Sequence, residues 1–202
     1  LDEDKSENVE NILEEIYYTA DSGQPVLFNF NISDRIAVHN KIAEVINMYE
    51  PRTITIIMNT YGIQVRTTQF KTLIEQKGDR MKIKKEKDST INRIKFYNYT
   101  FNNCSIVDTL RFLKKKGGMS IHSIGFVSGR SGCRGTSFST EDGVDSWILQ
   151  HHIYVSSNET TDLTTIKQGM SRNCGVYLRE NVADELHLWV THSDDELVKK
   201  DS

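Results

Sequence analysis

The sequence predicts an α/β protein with a mostly parallel sheet of roughly six or seven strands and helices on both faces. Two observations predict this class. Short apolar runs, such as Val26–Phe30 and Ile121–Val127, are typical of strands that are buried on both sides. These runs alternate with stretches whose apolar residues recur at helical spacing, as in successive β-α-β units.

The first third of the chain contains two predicted helices and two predicted strands. Apolar residues at helical spacing predict a helix over 8–19 and a second helix that Ser33 or Asp34 caps. The apolar run 25–30 predicts a strand between them. The β-branched segment 53–58, which follows the second helix, predicts the next strand.

The middle of the chain is less regular and carries many lysines. The residue pattern predicts a short helix over 67–75 and a strand over 91–97. The charged stretch 77–88 is either a solvated hairpin or a mobile insert, and both interpretations stay open here. Its lysines either contact phosphates or only keep a surface solvated.

The second half returns to the alternating pattern. Ser105 is expected to cap a helix that runs through Lys116 and is closed by Gly117 and Gly118. The later predicted elements are a strand over 121–127, a strand over 147–155, a helix over 164–173 and a strand over 185–190. The predicted organisation is an acidic helix or linker over 1–23, then one domain over 24–202 with a charged insert at about 77–95.

Composition limits the class of protein. The net charge of −3 argues against bulk coating of nucleic acid, although it allows a local groove that contacts a few phosphates. The three cysteines lack metal-ligand spacing and are expected to be free thiols. No signal peptide or bilayer-spanning stretch is evident. We therefore expect an intracellular protein, cytoplasmic or nuclear in a host cell or virion-associated, that is neither secreted nor membrane-bound.

A glycine-rich segment follows the predicted strand 121–127. Three glycines in seven residues, from Gly129 to Gly135, allow the backbone to approach another molecule closely. Backbone amides presented in this way can hold a phosphate, and Arg130 and Arg134 add positive charge. The alternative is an ordinary connecting loop.

A second unusual segment lies in the predicted helix 164–173. Gln168 and Arg172 are four residues apart, so they share one face of that helix. An amide and a guanidinium that point together can sense the γ-phosphate of a nucleotide, and such an arginine stabilises charge on a transferring phosphoryl group. The alternative is a solvated helix surface. Arg179, seven residues further on, is a further candidate.

The order of these segments resembles that of the second RecA-like domain of superfamily 2 helicases. Residues 26–30 resemble motif IV, 133–137 resemble motif V, and 168–175 resemble the form of motif VI in divergent phage and large-DNA-virus helicases. The resemblance implies a RecA-like fold, a catalytic role for Arg172, Gln168 and Arg179, and nucleotide contacts from Gly135, Ser137 and Arg134. It also implies that nucleic acid is contacted by Asn29, Phe30, Asn31, Ser128, Gly129 and Arg130.

The resemblance has departures. Ser171 stands where motif VI usually has glycine, and Gly175 stands where it usually has a second arginine. The alternative function is therefore a RecA-like domain without motor activity that serves assembly or regulation.

The sequence lacks the phosphate-binding loop that a domain needs to bind ATP on its own. It has no G-x-x-x-x-G-K-[ST] loop, so the resemblance implies that a first RecA-like domain of the same protein binds ATP and Mg²⁺. The partners implied are that domain and single- or double-stranded nucleic acid. Asp184–His187 spells D-E-x-H, but it precedes a strand instead of following one. His151 and His152 point to opposite faces of a strand, so no metal site is predicted.

Overall fold

The computed structural model describes residues 3–19, 23–32, 34–59, 62–74, 78, 80–129, 136–154 and 187–190. The helices in this part of the chain are α1 (Glu3–Tyr18), α2 (Ile36–Tyr49) and α3 (Ile106–Gly117). The strands are β1 (Val26–Ile32), β2 (Thr53–Asn59), β3 (Gly62–Thr67), β4 (Lys82–Lys85), β5 (Ser89–Ile91), β6 (Ile94–Asn102), β7 (Ser123–Gly129), β8 (His151–Tyr154) and β9 (His187–Val190). The predicted α/β class is confirmed.

The sheet is mixed, so the prediction of a mostly parallel sheet is wrong. Its strands follow the order β4-β6-β3-β2-β7-β1-β8-β9, and β5 pairs with β6. The pairs from β2 through β7, β1 and β8 to β9 are parallel. The pairs formed by β3, β4, β5 and β6 are antiparallel. A parallel half is therefore extended by an antiparallel half of similar size.

The antiparallel half begins at a tight reversal after β2. Gly62 has a φ of 130°, which favours glycine, and a Cβ there would lie 2.7 Å from Asn102 Oδ1. Along β3, buried Ile63 and Val65 alternate with more exposed Gln64 and Arg66, the pattern of a strand with one buried face. The chain leaves β3 without a helix over 68–74, so the predicted short helix is wrong.

Helices cover both faces of the sheet, as predicted. Along β1, Val26, Phe28, Phe30 and Ile32 point towards α1 and α2 and share one apolar core with them. Leu27, on the opposite face, belongs to the second core, which contains α3. The period of two along β1 therefore divides its side chains between two layers.

The N-terminal helix α1 is part of this packing. Leu13 and Ile16 are fully buried in the core that α2 shares. Near its end, the Tyr17 hydroxyl is hydrogen-bonded to Thr53 Oγ1 at the start of β2. Burial raises the pKa of Tyr17 to about 12. The predicted acidic helix therefore packs on the sheet.

The two later helices begin differently from each other. Ser105 caps α3 as predicted: its hydroxyl accepts from the Asp108 amide at 3.1 Å, while Asp108 Oδ2 accepts from the Ser105 amide at 2.9 Å. Arg35 occupies the cap position of α2 and makes no side-chain cap bond, so the predicted cap at Asp34 is wrong. Asp34 instead lies beside the end of β7.

The charged stretch joins the sheet as an edge strand. Lys82 to Lys85 form β4, which pairs with the end of β6. Lys85 Nζ lies 2.7 Å from Asp88 Oδ1 and 4.6 Å from the ring centroids of both Tyr97 and Tyr99. Lysines on an edge strand discourage pairing with another molecule. The described part of the charged stretch therefore contributes one edge strand, β4, to the sheet.

None of the helices in the described residues has the length and apolar character that crossing a bilayer requires.

Candidate functional site

Three neighbouring parallel strands end together at one edge of the sheet. In register, Ile32 at the end of β1 pairs with Gly129 at the end of β7. On the other side of β1, Asn31 pairs with Tyr154 of β8. The segments predicted to contact nucleic acid, 29–31 and 128–129, are thereby side by side. Carboxyl ends of adjacent parallel strands are where ligands bind in open α/β sheets.

A buried polar cluster joins the three strands just below this edge. Ser128 Oγ donates to Asn29 Oδ1 at 2.8 Å. Asn29 Nδ2 donates to His152 Nδ1 at 3.2 Å. All three side chains are buried, so each of these hydrogen bonds replaces contacts with water. The Asn29 amide therefore fixes β7 and β8 on either side of β1.

The hydrogen bond to Asn29 selects the tautomer of His152, and burial keeps its ring neutral. An amide nitrogen can only donate, so Nδ1 of His152 accepts and the ring proton lies on Nε2. Burial lowers the pKa of His152 to about 4. Within the described residues no group of three or more His, Cys, Asp or Glu side chains could hold a metal. His152 thus acts as a neutral acceptor inside the sheet.

The next residues along β1 differ in their surroundings. Asn31 is buried on the same face as Asn29, and its Oδ1 has no hydrogen-bond partner among the described residues. Phe30 is fully buried on the opposite face and packs edge-on against Phe28, with 6.0 Å between ring centroids. Asn31 therefore brings an unused acceptor to the end of β1, whereas the Phe30 ring belongs to the core.

Gly129 lets the ends of β1 and β7 approach closely. A Cβ on Gly129 would overlap Asp34 Oδ1 and would lie 3.1 Å from Asp34 Cα. Asp34 stands just before α2, so the turn after β1 lies against the last residue of β7. The sequence predicts that the backbone at Gly129 approaches another molecule closely. In the structure the group that it approaches closely is Asp34 of the same chain.

The substitution Gly129→Ala should lower the free energy of unfolding by about 1–3 kcal/mol, because the added methyl group forces this contact apart. Urea denaturation measures the loss. In a chain that also carries Asp34→Ala, most of the loss should disappear, because the overlapping oxygen is gone. Equal costs of Gly129→Ala in both backgrounds would show that Asp34 is not the constraint.

The chain after the glycine-rich segment packs back on β7. The Phe138 ring meets Phe126 of β7 with 5.0 Å between centroids. Ser137, predicted to contact nucleotide, is half-buried, and its Oγ lies 3.3 Å from Ser139 Oγ. The segment from Ser137 is thereby held near the strand from which the glycine-rich segment leaves.

Six predicted site residues lie outside the described residues: Arg130, Arg134, Gly135, Gln168, Arg172 and Arg179. Their predicted roles stay predictions. Sequence reasoning missed Asp34 as the neighbour of Gly129, and it gave His152 no part in the site. A usable signal was the alternation of polar and apolar residues along Phe28–Ile32, which indicates a polar cluster on one face of a buried strand.

Comparison with known proteins gives no relative. No family model, no curated protein and no solved structure matches this chain.

Proposed function

We propose that this chain is the second RecA-like domain of a superfamily 2 helicase or translocase. In this proposal it binds a nucleic-acid strand along the carboxyl ends of β7, β1 and β8. It also completes an ATP site that a preceding RecA-like domain of the same protein begins. One observation supports the proposal most: the strand that resembles motif IV and the strand that precedes the motif V-like segment are adjacent and parallel, and they end in register at Ile32 and Gly129.

That adjacency is not implied by chain order. The whole antiparallel half of the sheet and α3 intervene between β1 and β7. β8, after which the motif VI-like segment follows in sequence, is the other neighbour of β1. The motif IV-like strand and the strands that precede the other two motif-like segments in sequence are therefore neighbours that end at one edge, which supports a shared binding surface.

The contacts expected with nucleic acid are to its backbone. Strand ends and the glycine-rich segment would offer amide donors, and Arg130 would add a charge for phosphates. Asn31 lies at the same edge, while Asn29 holds Ser128 in place through its hydrogen bond. Contacts of this kind ignore base identity, which suits movement along a strand.

The nucleotide contacts are assigned by the resemblance to motifs V and VI. Arg172, Gln168 and Arg179 would reach the γ-phosphate across the cleft, and Arg134, Gly135 and Ser137 would line it. ATP and Mg²⁺ would be bound by the preceding domain, because this sequence has no phosphate-binding loop. Closure of the cleft upon ATP, a domain motion of the hinge kind, would couple the nucleotide site to the nucleic-acid contacts.

The test compares this chain alone with the protein that also contains the preceding domain. The isolated chain should show no ATP turnover and only weak affinity for a single-stranded oligonucleotide. The two-domain protein should hydrolyse ATP, with turnover stimulated by the oligonucleotide. Phosphate release and fluorescence anisotropy measure these properties. Robust turnover by the isolated chain would contradict the assigned roles.

A second function is favoured by Gly175, which stands where motif VI usually has its second arginine. In that case the chain is a RecA-like domain without motor activity that serves assembly or regulation. The sequence upstream distinguishes the two functions. A G-K-[ST] loop, followed by a strand that ends in D-E, supports the motor, and their absence supports the assembly role.

A further inference from the structure

A polar groove lies on the α2 face of the sheet, in the region where the antiparallel half begins. Its volume is about 420 Å³, within the range of small-ligand sites. Arg66 of β3, which lines it, is in register with Thr55, near the start of β2 and away from the carboxyl ends of the parallel strands. The polar and charged residues of its lining include Gln64, Arg66, Glu86, Lys87, Asn98 and Thr100.

Arg66 is the unusual residue of this groove. Its side chain is half-buried, and burial lowers its pKa in spite of the attraction of Glu44. Nε donates to Asn98 Oδ1 at 3.2 Å. Among the described residues the guanidinium forms no ion pair, and the nearby Glu44 is paired with Lys41 at 3.9 Å. The cation is thus partly removed from water and has only a neutral amide as partner.

The neighbours of Arg66 hold it in a fixed position. Asn98 Nδ2 donates to the Lys87 carbonyl at 2.9 Å and to Ser89 Oγ at 3.0 Å, so its Oδ1 is directed at Arg66. A guanidinium has five N–H donors, and the bond to Asn98 uses one of them. Its terminal nitrogens therefore form a pre-positioned fork, the geometry that matches carboxylate and phosphate oxygens.

The charges around the groove favour an anion. Thr100 Oγ1 donates to Glu86 Oε1 at 2.9 Å, and Lys84 Nζ lies 3.5 Å from the same oxygen. That carboxylate is thus already compensated by its neighbours. The other charged residues of the groove lining are Arg66 and Lys87, which are both positive. A partly desolvated cation without a direct ion pair is costly, and an oxyanion in the groove reduces that cost.

We propose that this groove is a phosphate-type oxyanion site in which the Arg66 fork binds the ligand and Lys87 adds charge. The same chemistry is presented by free phosphate and by the phosphodiester backbone of a nucleic acid. The site lies apart from the carboxyl edge and does not depend on the proposed motor function.

The experiment titrates the folded chain with inorganic phosphate at constant ionic strength, adjusted with chloride. Calorimetry measures binding and thermal unfolding measures stabilisation. Arg66→Met should weaken phosphate binding about tenfold or more, because hydrogen bonds to charged groups are lost. Arg66→Lys should retain part of the binding, since it keeps the charge but loses the fork. Arg93→Met, on the exposed β5–β6 turn, removes the same charge and should bind as the wild type does.

Stability without phosphate separates a binding role from a structural one. Arg66→Met should then unfold at the same or a higher temperature than the wild type, because a desolvated charge is removed. A clearly lower unfolding temperature, together with no effect of phosphate on the wild type, would overturn the proposal. So would equal phosphate binding by the wild type and Arg66→Met.

A second titration with a 12-nucleotide single strand identifies the source of the oxyanion. If the source is nucleic acid, Arg66→Met should weaken oligonucleotide binding and reduce the slope of its salt dependence by about one. If the source is free phosphate, only the phosphate titration should change. Either result supports the site. Phosphate binding that depends on Arg66, together with no ATPase activity in the protein that also contains the preceding domain, would reject the motor function and leave the groove assignment intact.

Discussion

Replacing Arg172 with alanine, in the protein that includes the proposed first RecA-like domain, should lower ATP turnover by about 10³- to 10⁵-fold. An arginine that reaches the γ-phosphate from a second domain stabilises charge in the transition state, so its loss affects hydrolysis more than binding. Affinity for a single-stranded oligonucleotide should stay close to that of the wild type. Steady-state phosphate release with saturating oligonucleotide measures the first property, and anisotropy measures the second.

Two further variants make this experiment specific. Arg93→Ala removes an exposed arginine from the β5–β6 turn and should leave turnover unchanged. Arg179→Ala tests whether the next arginine supplies the charge that Gly175 does not. Unchanged turnover in Arg172→Ala would reject its assignment as the finger. If Arg179→Ala alone abolished turnover, the finger role would pass to Arg179.

The second large effect concerns pH and His152. Burial lowers its pKa to about 4, whereas an unfolded histidine titrates near 6.5. Between these values the unfolded chain binds a proton that the folded chain does not, so stability falls as pH decreases. The contribution of His152 is fully present above about pH 6.5, and about 3 kcal/mol is lost on reaching pH 4. Urea denaturation at several pH values measures this loss.

The variant His152→Gln removes the titrating group and should flatten the profile between pH 6.5 and 4. The matched control is His122→Gln. Burial, with the nearby Arg52, also lowers the pKa of His122, but that ring is only half-buried, so its share should be smaller. Identical slopes for wild type and His152→Gln would show that the histidine next to Asn29 does not carry the effect.

The parallel half of the fold was predictable because its signals are local. The apolar run at Val26–Phe30 and the β-branched run after Pro51 each predict a buried strand without knowledge of their neighbours. Ser105 and the paired glycines Gly117 and Gly118 likewise mark both ends of α3. The site segments were placed at strand ends by the same reasoning.

The rest depends on contacts between distant parts of the chain. Nothing near Gln64 or Arg66 indicates that β3 turns back on β2, since the reversal depends on the conformation of Gly62. The contact of Gly129 with Asp34 and the bond of Asn29 to His152 join residues far apart in sequence. Local patterns predict elements, whereas such pairings are decided by tertiary packing.

The position of β1 between β7 and β8 has a consequence for biosynthesis. Ser128 and Asn29, which hydrogen-bond across the β1–β7 pair, are 99 residues apart. At about 5–20 residues per second, a ribosome needs roughly 5–20 s to supply that partner. During this interval the apolar strand β1 has no partner strand on either edge, and unpaired strand edges promote aggregation. We expect nascent chains stalled before β7 to be bound by chaperones, and chains released after β8 to escape them.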